Sequence, residues 1–220
     1  MGMIRGQFHE DMDQLKYSIK KLAVGTVQAF EEALDALYNQ DIDKAKKIIE
    51  EDDQLDRKEL EINEQAILLI AKQQPVATDL RRMIVAIKVS SDLERMADHA
   101  VNVSKSAIHL GEDHDITIPP ALRDMFGVAK EMVDTATKAF ENEDISLARV
   151  LAEMDDKVDE MYGQITREML ELTANNPQKI QHIMQMAYVA RYIERFADHI
   201  TNIGEYIFYL VKGQTFDLNE

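Results

Sequence analysis

Apolar and small residues recur at spacings of three and four along most of the chain, as in Leu15, Ile19, Leu22, Thr26, Ala29, Ala33 and Leu37, and again in Ala45, Ile48, Ile49, Leu55 and Leu60. That is the period of a helix with one face turned to a core, and strand-like alternation is nowhere sustained. Prolines stand at only three places, Pro75, Pro119-Pro120 and Pro177, and glycines number 8, so the predicted helices are long. Polar clusters at Asn39-Gln40-Asp41 and Glu141-Asn142-Glu143-Asp144 each divide a long segment. Asn176-Pro177 reads as an N-cap followed by proline at the first helical position. Six helices are predicted, over 8–38, 42–73, 78–110, 119–141, 145–174 and 178–212, giving an all-α fold. The longest connection, from Gly111 to Pro120, carries Glu112, Asp113, His114 and Asp115. It divides the chain near its midpoint into residues 1–111 and 112–220.

The two parts resemble each other. Glu94-Arg95-Met96-Ala97-Asp98-His99-Ala100-Val101-Asn102 is echoed by Glu194-Arg195-Phe196-Ala197-Asp198-His199-Ile200-Thr201-Asn202, with six of nine positions identical. Earlier in each part, Asp41-Ile42-Asp43-Lys44-Ala45 precedes Asp52-Asp53-Gln54-Leu55-Asp56, and Asp144-Ile145-Ser146-Leu147-Ala148 precedes Asp155-Asp156-Lys157-Val158-Asp159 at the same spacing. An internal repeat of this length predicts two tandem, antiparallel three-helix bundles related by approximate two-fold symmetry.

Charge narrows the function classes. The chain holds 25 Lys+Arg against 41 Asp+Glu, a formal net charge of -16, which argues against nucleic acid and against an anionic bilayer as direct partners. Residues 1–111 carry 15 basic and 20 acidic side chains, and residues 112–220 carry 10 and 21, so the halves share a fold but not a partner surface. Cysteine is absent, which excludes disulfides and thiolate chemistry and is compatible with a reducing compartment. No apolar run approaches the roughly 18 residues of a spanning helix, and residues 1–15 lack the apolar segment of a signal peptide. A cytoplasmic protein is expected.

Within the repeat the acidic residues are patterned. Glu94 and Asp98, four apart, lie about 40° from each other on a helix, and Ile87 and Val101 flank Glu94 on the same face. The pair therefore interrupts an apolar stripe, and Glu194 with Asp198 repeats it. Asp52 with Asp56 and Asp155 with Asp159 have the same spacing in the preceding helices. Carboxylates held this close raise one another's pKa or demand a cation, and a hard divalent ion with oxygen ligands satisfies them. The alternative is a solvated acidic face, or one neutralised by Arg95 or Arg195; it weighs most for the two aspartate pairs. Asn102 and Asn202 recur beside the glutamate pairs and favour the functional side of that choice.

His99 and His199 lie about 140° round the helix from the glutamates and read as packing or hydrogen-bonding residues. No Glu precedes a His by three residues, as a ferritin-type di-iron centre requires. His114-Asp115 is single and unrepeated. The chain has 12 methionines, and those on predicted apolar faces, such as Met83, Met96, Met184 and Met186, read as core.

At the repeated Glu-Arg-x-Ala-Asp-His motif the sequence resembles the PhoU family, bacterial regulators of phosphate uptake. Lys72-Gln73-Gln74-Pro75-Val76-Ala77-Thr78-Asp79-Leu80-Arg81 and Phe208-Tyr209-Leu210-Val211-Lys212-Gly213 add to the likeness, which covers nearly the whole chain. The resemblance implies a non-enzymatic cytoplasmic regulator, often a homodimer, that restrains the high-affinity phosphate ABC transporter and keeps the sensor histidine kinase from activating the starvation response. It implies an adaptor between the transporter ATPase and that kinase, meeting the inner face of the membrane through those partners. The family's metal-binding carboxylates correspond to Glu94, Asp98, Glu194 and Asp198 and, by a looser match, to Asp52, Asp56, Asp155 and Asp159. The resemblance leaves the ion open among iron, manganese, magnesium, calcium and zinc, in single or multinuclear sites; oxygen-only ligands favour the first four over a sulfur-built zinc site. A helical metal-storage protein without a signalling role is the competing class.

Overall fold

Aspartates at matched places in the two halves start helices in the same way. The Asp41 carboxylate accepts the Lys44 backbone N–H at 2.9 Å, and that of Asp144 accepts the Ser146 N–H at 2.8 Å. Each satisfies a donor that the first helical turn leaves unpaired. The helix before each cap closes with a left-handed residue, Gln40 at φ 57 and Glu143 at φ 53. Behind these, the N–H groups of Asp41 and Asp144 bond the carbonyls of Ala36 and Ala139, both at 2.9 Å, the closing bond of a Schellman turn. The polar clusters read as breaks in the sequence are these two hairpin turns.

The computed structural model describes residues 2–112, 114–215 and 217–218, with the backbone alone for 2–6; Met1 and Asp113, which enter the reading of the N-terminus and of the central connection, lie outside them. The helices are α1 (Gly2–Asn39), α2 (Ile42–Glu51), α3 (Asp53–Gln73), α4 (Thr78–Leu110), α5 (Ala121–Asn142), α6 (Ile145–Asn175) and α7 (Ile180–Lys212), with a 3-10 turn over Pro177–Lys179. The segment expected as one helix over 42–73 is thus interrupted at Asp52. Its dihedrals stay helical (φ -55, ψ -39), while Leu55 N–H bonds back three residues to the Asp52 carbonyl at 2.8 Å, so the helix tightens there. Its counterpart α6 runs through Asp155 unbroken. Asn176 does not cap as expected: its side-chain amide donates to the Leu172 carbonyl at 3.1 Å, closing α6. Leu60, counted on the apolar face of α3, is 55% exposed.

Helices α1, α2–α3 and α4 form one antiparallel bundle and α5, α6 and α7 the other, with α4 packed along α7 between them. Nearly all the buried apolar side chains form a single continuous cluster through both bundles. At its centre Phe30 stacks on Phe126 with ring centres 4.5 Å apart, and Phe196 meets both edge-on at 5.0 and 5.4 Å, joining α1, α5 and α7. Ion pairs fasten the rim: Arg82 of α4 grips Glu143 through two bonds of 2.7 and 3.0 Å, and Lys20 of α1 reaches Glu141 at 2.9 Å.

One backbone position carries strain. Ala77, just before α4, sits at φ 50, ψ -120, a region open to glycine and costly for a residue with a Cβ. Ala77→Gly is expected to raise unfolding free energy by about 1 kcal/mol, strain relief exceeding the added freedom of the unfolded chain. Urea unfolding followed by circular dichroism checks this; an unchanged or lowered midpoint contradicts it.

Candidate metal centres at the acidic clusters

Helix α4 carries Glu94 and Asp98 on the face that meets α3, where Asp52 and Asp56 stand at its start. Helix α7 carries Glu194 and Asp198 toward Asp155 and Asp159 of α6. The fold draws the eight predicted residues into two electrostatically coupled clusters, one per half. Burial, then the charges of Asp98 and Asp56, push Glu94 up to about 7. Burial, then Asp56 and Asp98, push Asp52 up to about 6, with Lys105 opposing. In the second half burial, then Asp159 and Asp198, push Asp155 up to about 7, and burial, then Asp198, push Glu194 up to about 7 against Arg191. Asp56 and Asp159 are raised as well, burial first and Asp98 or Asp198 next.

Within each pair the residue nearer the helix start is the deeper one. Asp155 and Glu194 are 5% and 8% exposed, and Glu94 and Asp52 are half-buried, whereas Asp56, Asp98 and Asp159 are exposed and Asp198 is intermediate. Each cluster is therefore a well with a protonatable floor and a solvated lip. In the second, Asp155 Oδ1 and Glu194 Oε2 are buried with no hydrogen-bond partner. Lone carboxylate oxygens out of water call for a proton or a cation. The donor set, all oxygen, suits a hard divalent ion. Among the described residues, no three Asp, Glu or His side chains are already set to hold one ion, so a metal would have to draw the lip carboxylates inward.

Several participants were not evident in the sequence. Glu59 joins the first cluster, raising both Glu94 and Asp56, and Arg191 joins the second, bonding Glu194 Oε1. Asp92, 2% exposed, accepts from His199 Nδ1 at 2.7 Å across the α4–α7 junction. The His99 ring stacks on that of His199 at 5.7 Å and on Tyr192 at 6.0 Å; burial, then His199, lowers its pKa to about 4. The two histidines thus pack against each other, and His199 bonds Asp92 rather than a carboxylate of either cluster. Asn202 donates to Asp92 at 3.5 Å and so belongs to this junction rather than to the acidic cluster beside which it was counted. Asp115 pairs with Lys179 at 2.6 Å.

Residues 19–107 and 122–207 each match the PhoU domain. The chain belongs to the PhoU family. It is 36% identical over 205 residues to a phosphate-specific transport system accessory protein PhoU homolog of Aquifex aeolicus, covering 93% of each chain. A homolog of the same description in Clostridium acetobutylicum is 32% identical over 219 residues, 99% of this chain and 100% of that one. The crystal structure of the phosphate transport system regulatory protein PhoU from Streptococcus pneumoniae superposes with a TM-score of 0.89 at 29% identity, covering 96% of this chain and 99% of that one. Both PhoU-domain matches contain complete acidic quartets, Asp52 to Asp98 and Asp155 to Asp198.

Proposed function

We propose that the chain regulates phosphate uptake by contact rather than by catalysis, as the accessory protein of a phosphate-specific transport system. Family membership along nearly the whole chain carries this, since its PhoU relatives bear that description from end to end. The finer role is that of an adaptor in the cytoplasm, a homodimer, that restrains the transporter through its ATPase and holds the phosphate-sensing histidine kinase inactive when phosphate is ample. No helix among the described residues is long and apolar enough to cross a membrane, which suits a protein brought to the membrane by its partners.

The acidic clusters are assigned to metal. Asp52, Asp56, Glu94 and Asp98 would hold a divalent ion in the first half, and Asp155, Asp159, Glu194 and Asp198 in the second. Such an ion supplies positive charge that cancels carboxylate repulsion and turns each acidic well into a firm surface for partners. The unpartnered oxygens of Asp155 and Glu194 support this. Deleting the gene is expected to switch on a phosphate-starvation reporter in phosphate-rich medium. The purified chain is expected to capture the transporter ATPase and the kinase, with capture weakened by chelator and by Asp98→Ala with Asp198→Ala. A silent reporter together with capture of neither partner defeats the adaptor role. Oxygen uptake after anaerobic ferrous loading would favour a redox or storage protein instead.

A further inference from the structure

In a tandem repeat, positions that differ inside an otherwise matched site reveal what each half does alone. In the register that pairs Asp52 with Asp155 and Asp56 with Asp159, Glu59 corresponds to Tyr162. In the register that pairs Glu94 with Glu194, Ser91 corresponds to Arg191. Glu59 meets Ser91 in the first half, and Tyr162 meets Arg191 in the second. Glu59 Oε1 accepts from the Ser91 hydroxyl at 2.8 Å and from Asn63 Nδ2 at 2.5 Å, so the first half holds an additional carboxylate in place with neutral donors. In the second half that carboxylate is replaced by the Tyr162 ring. Arg191, in the serine's position, donates through Nη1 to Glu194 Oε1, with its guanidinium carbon 5.8 Å from the ring centre.

The two exchanges act together and in one direction: an anion is removed and a cation is added. A guanidinium seated over an aromatic face, bonded to a buried carboxylate, is held both electrostatically and by packing. Its charge also reaches Asp159. The cation that tempers the first cluster, Lys105, acts on Asp52 from an exposed position, where water screens it; Arg191, whose side chain is also partly exposed, differs by its direct bond to Glu194. Arg191 nevertheless occupies only one oxygen of Glu194. Glu194 Oε2 and Asp155 Oδ1 are themselves buried, on residues 8% and 5% exposed, remain without partners and point to a further cation. A divalent ion drawn to those oxygens would meet the guanidinium bonded to the same carboxylate, which would repel it unless it moved away.

We propose that Arg191, seated on Tyr162, is the resident counter-cation of the second acidic cluster, so that the two clusters are unequal divalent-cation sites: the first fills at lower metal concentration, and the second fills when Arg191 gives up Glu194. This rests on the assignment of the clusters to metal. It makes occupancy graded, with one half loaded across a range of ion concentrations where the other still carries its own charge.

The test is a Mn2+ titration of the chelator-treated full chain near pH 7.5, with free Mn2+ read by electron paramagnetic resonance. Wild type is expected to show two classes of site whose dissociation constants differ by about tenfold or more, the scale of one charge-assisted bond. Arg191→Ser combined with Tyr162→Glu is expected to bring the weak class to within about threefold of the strong one. Ser91→Arg combined with Glu59→Tyr is expected to weaken the strong class and, leaving α7 untouched, decides the matter if the Arg191 variants misfold. In chelator, Arg191→Ser alone is expected to lower the melting temperature, and saturating Mn2+ to raise it by more than it raises wild type, whereas loss of a merely structural contact would leave the Mn2+-induced gain unchanged. A single class of sites in wild type, or classes unmoved by the exchanges, overturns the counter-cation role while leaving the metal assignment standing. No Mn2+ uptake by wild type overturns the metal assignment and this inference with it.

Discussion

Phe196→Ala is expected to lower the unfolding free energy by about 3–5 kcal/mol, the range for removing a fully buried aromatic side chain when its surroundings cannot close over the gap. The ring has no exposed surface and meets Phe30 of α1 and Phe126 of α5 edge-on, so truncation leaves a cavity between three helices from both halves. These neighbours stack on each other and are held by their own helices, which limits collapse. The loss is expected to reach both halves together, as one urea transition shifted to lower concentration by circular dichroism. Two separated transitions, with the first bundle melting as in wild type, would contradict a shared core.

The second large effect concerns pH. Asp155, Glu194 and Glu94 are pushed up to about 7 and Asp52 to about 6, from ordinary values of 3.8 for Asp and 4.5 for Glu. The unfolded chain sheds these protons near its ordinary carboxylate range, while the folded chain keeps them until pH 6 to 7. Folding therefore favours the protonated forms, and metal-free stability falls as pH rises from about 4 through about 7, then levels. The chelated protein is expected to melt at a lower temperature at pH 8 than at pH 5.5. Asp155→Asn is expected to gain about 1–2 kcal/mol at pH 8, less than the full shift because water screens the lip carboxylates, and almost nothing at pH 5. Divalent ion is expected to stabilise wild type far more at pH 8 than at pH 5.5. A melting temperature independent of pH in chelator, with no gain from Asp155→Asn, would show that the wells are solvated and without strain.

Helix order and most helix ends were legible because their signals are local. Aspartate caps, polar turns and the scarcity of proline act within a few residues, and Asp41 and Asp144 do in the fold what their positions promised. The interruption at Asp52 had no such signal: the Glu50-Glu51-Asp52-Asp53 run contains no breaker, and the dihedrals there remain helical. The acidic pairs were visible from four-residue spacing, which fixes the face of a helix but not its depth. Depth comes from the neighbouring helix, which is why Asp155, placed among the weaker candidates, is the most buried of the eight. The same limit hid Asp92, whose repeat counterpart is Tyr192, so a search for matching positions passes over it. Glu59 and Arg191 were hidden likewise, although comparing mismatched positions inside the repeat would have singled out both.

The packing of α4 along α7 bears on how the chain is made. A ribosome releases the first bundle complete, but its inner side, with Asp92 of α4 awaiting His199 and Phe30 of α1 awaiting Phe196, is not fully covered until the last helix has emerged. Through most of synthesis the nascent chain presents an apolar strip and a buried-type carboxylate to its surroundings, a form prone to association with other chains. The final helix is therefore the closing piece for both halves. Truncation within it would leave the first bundle open along α4 as well as destroying the second.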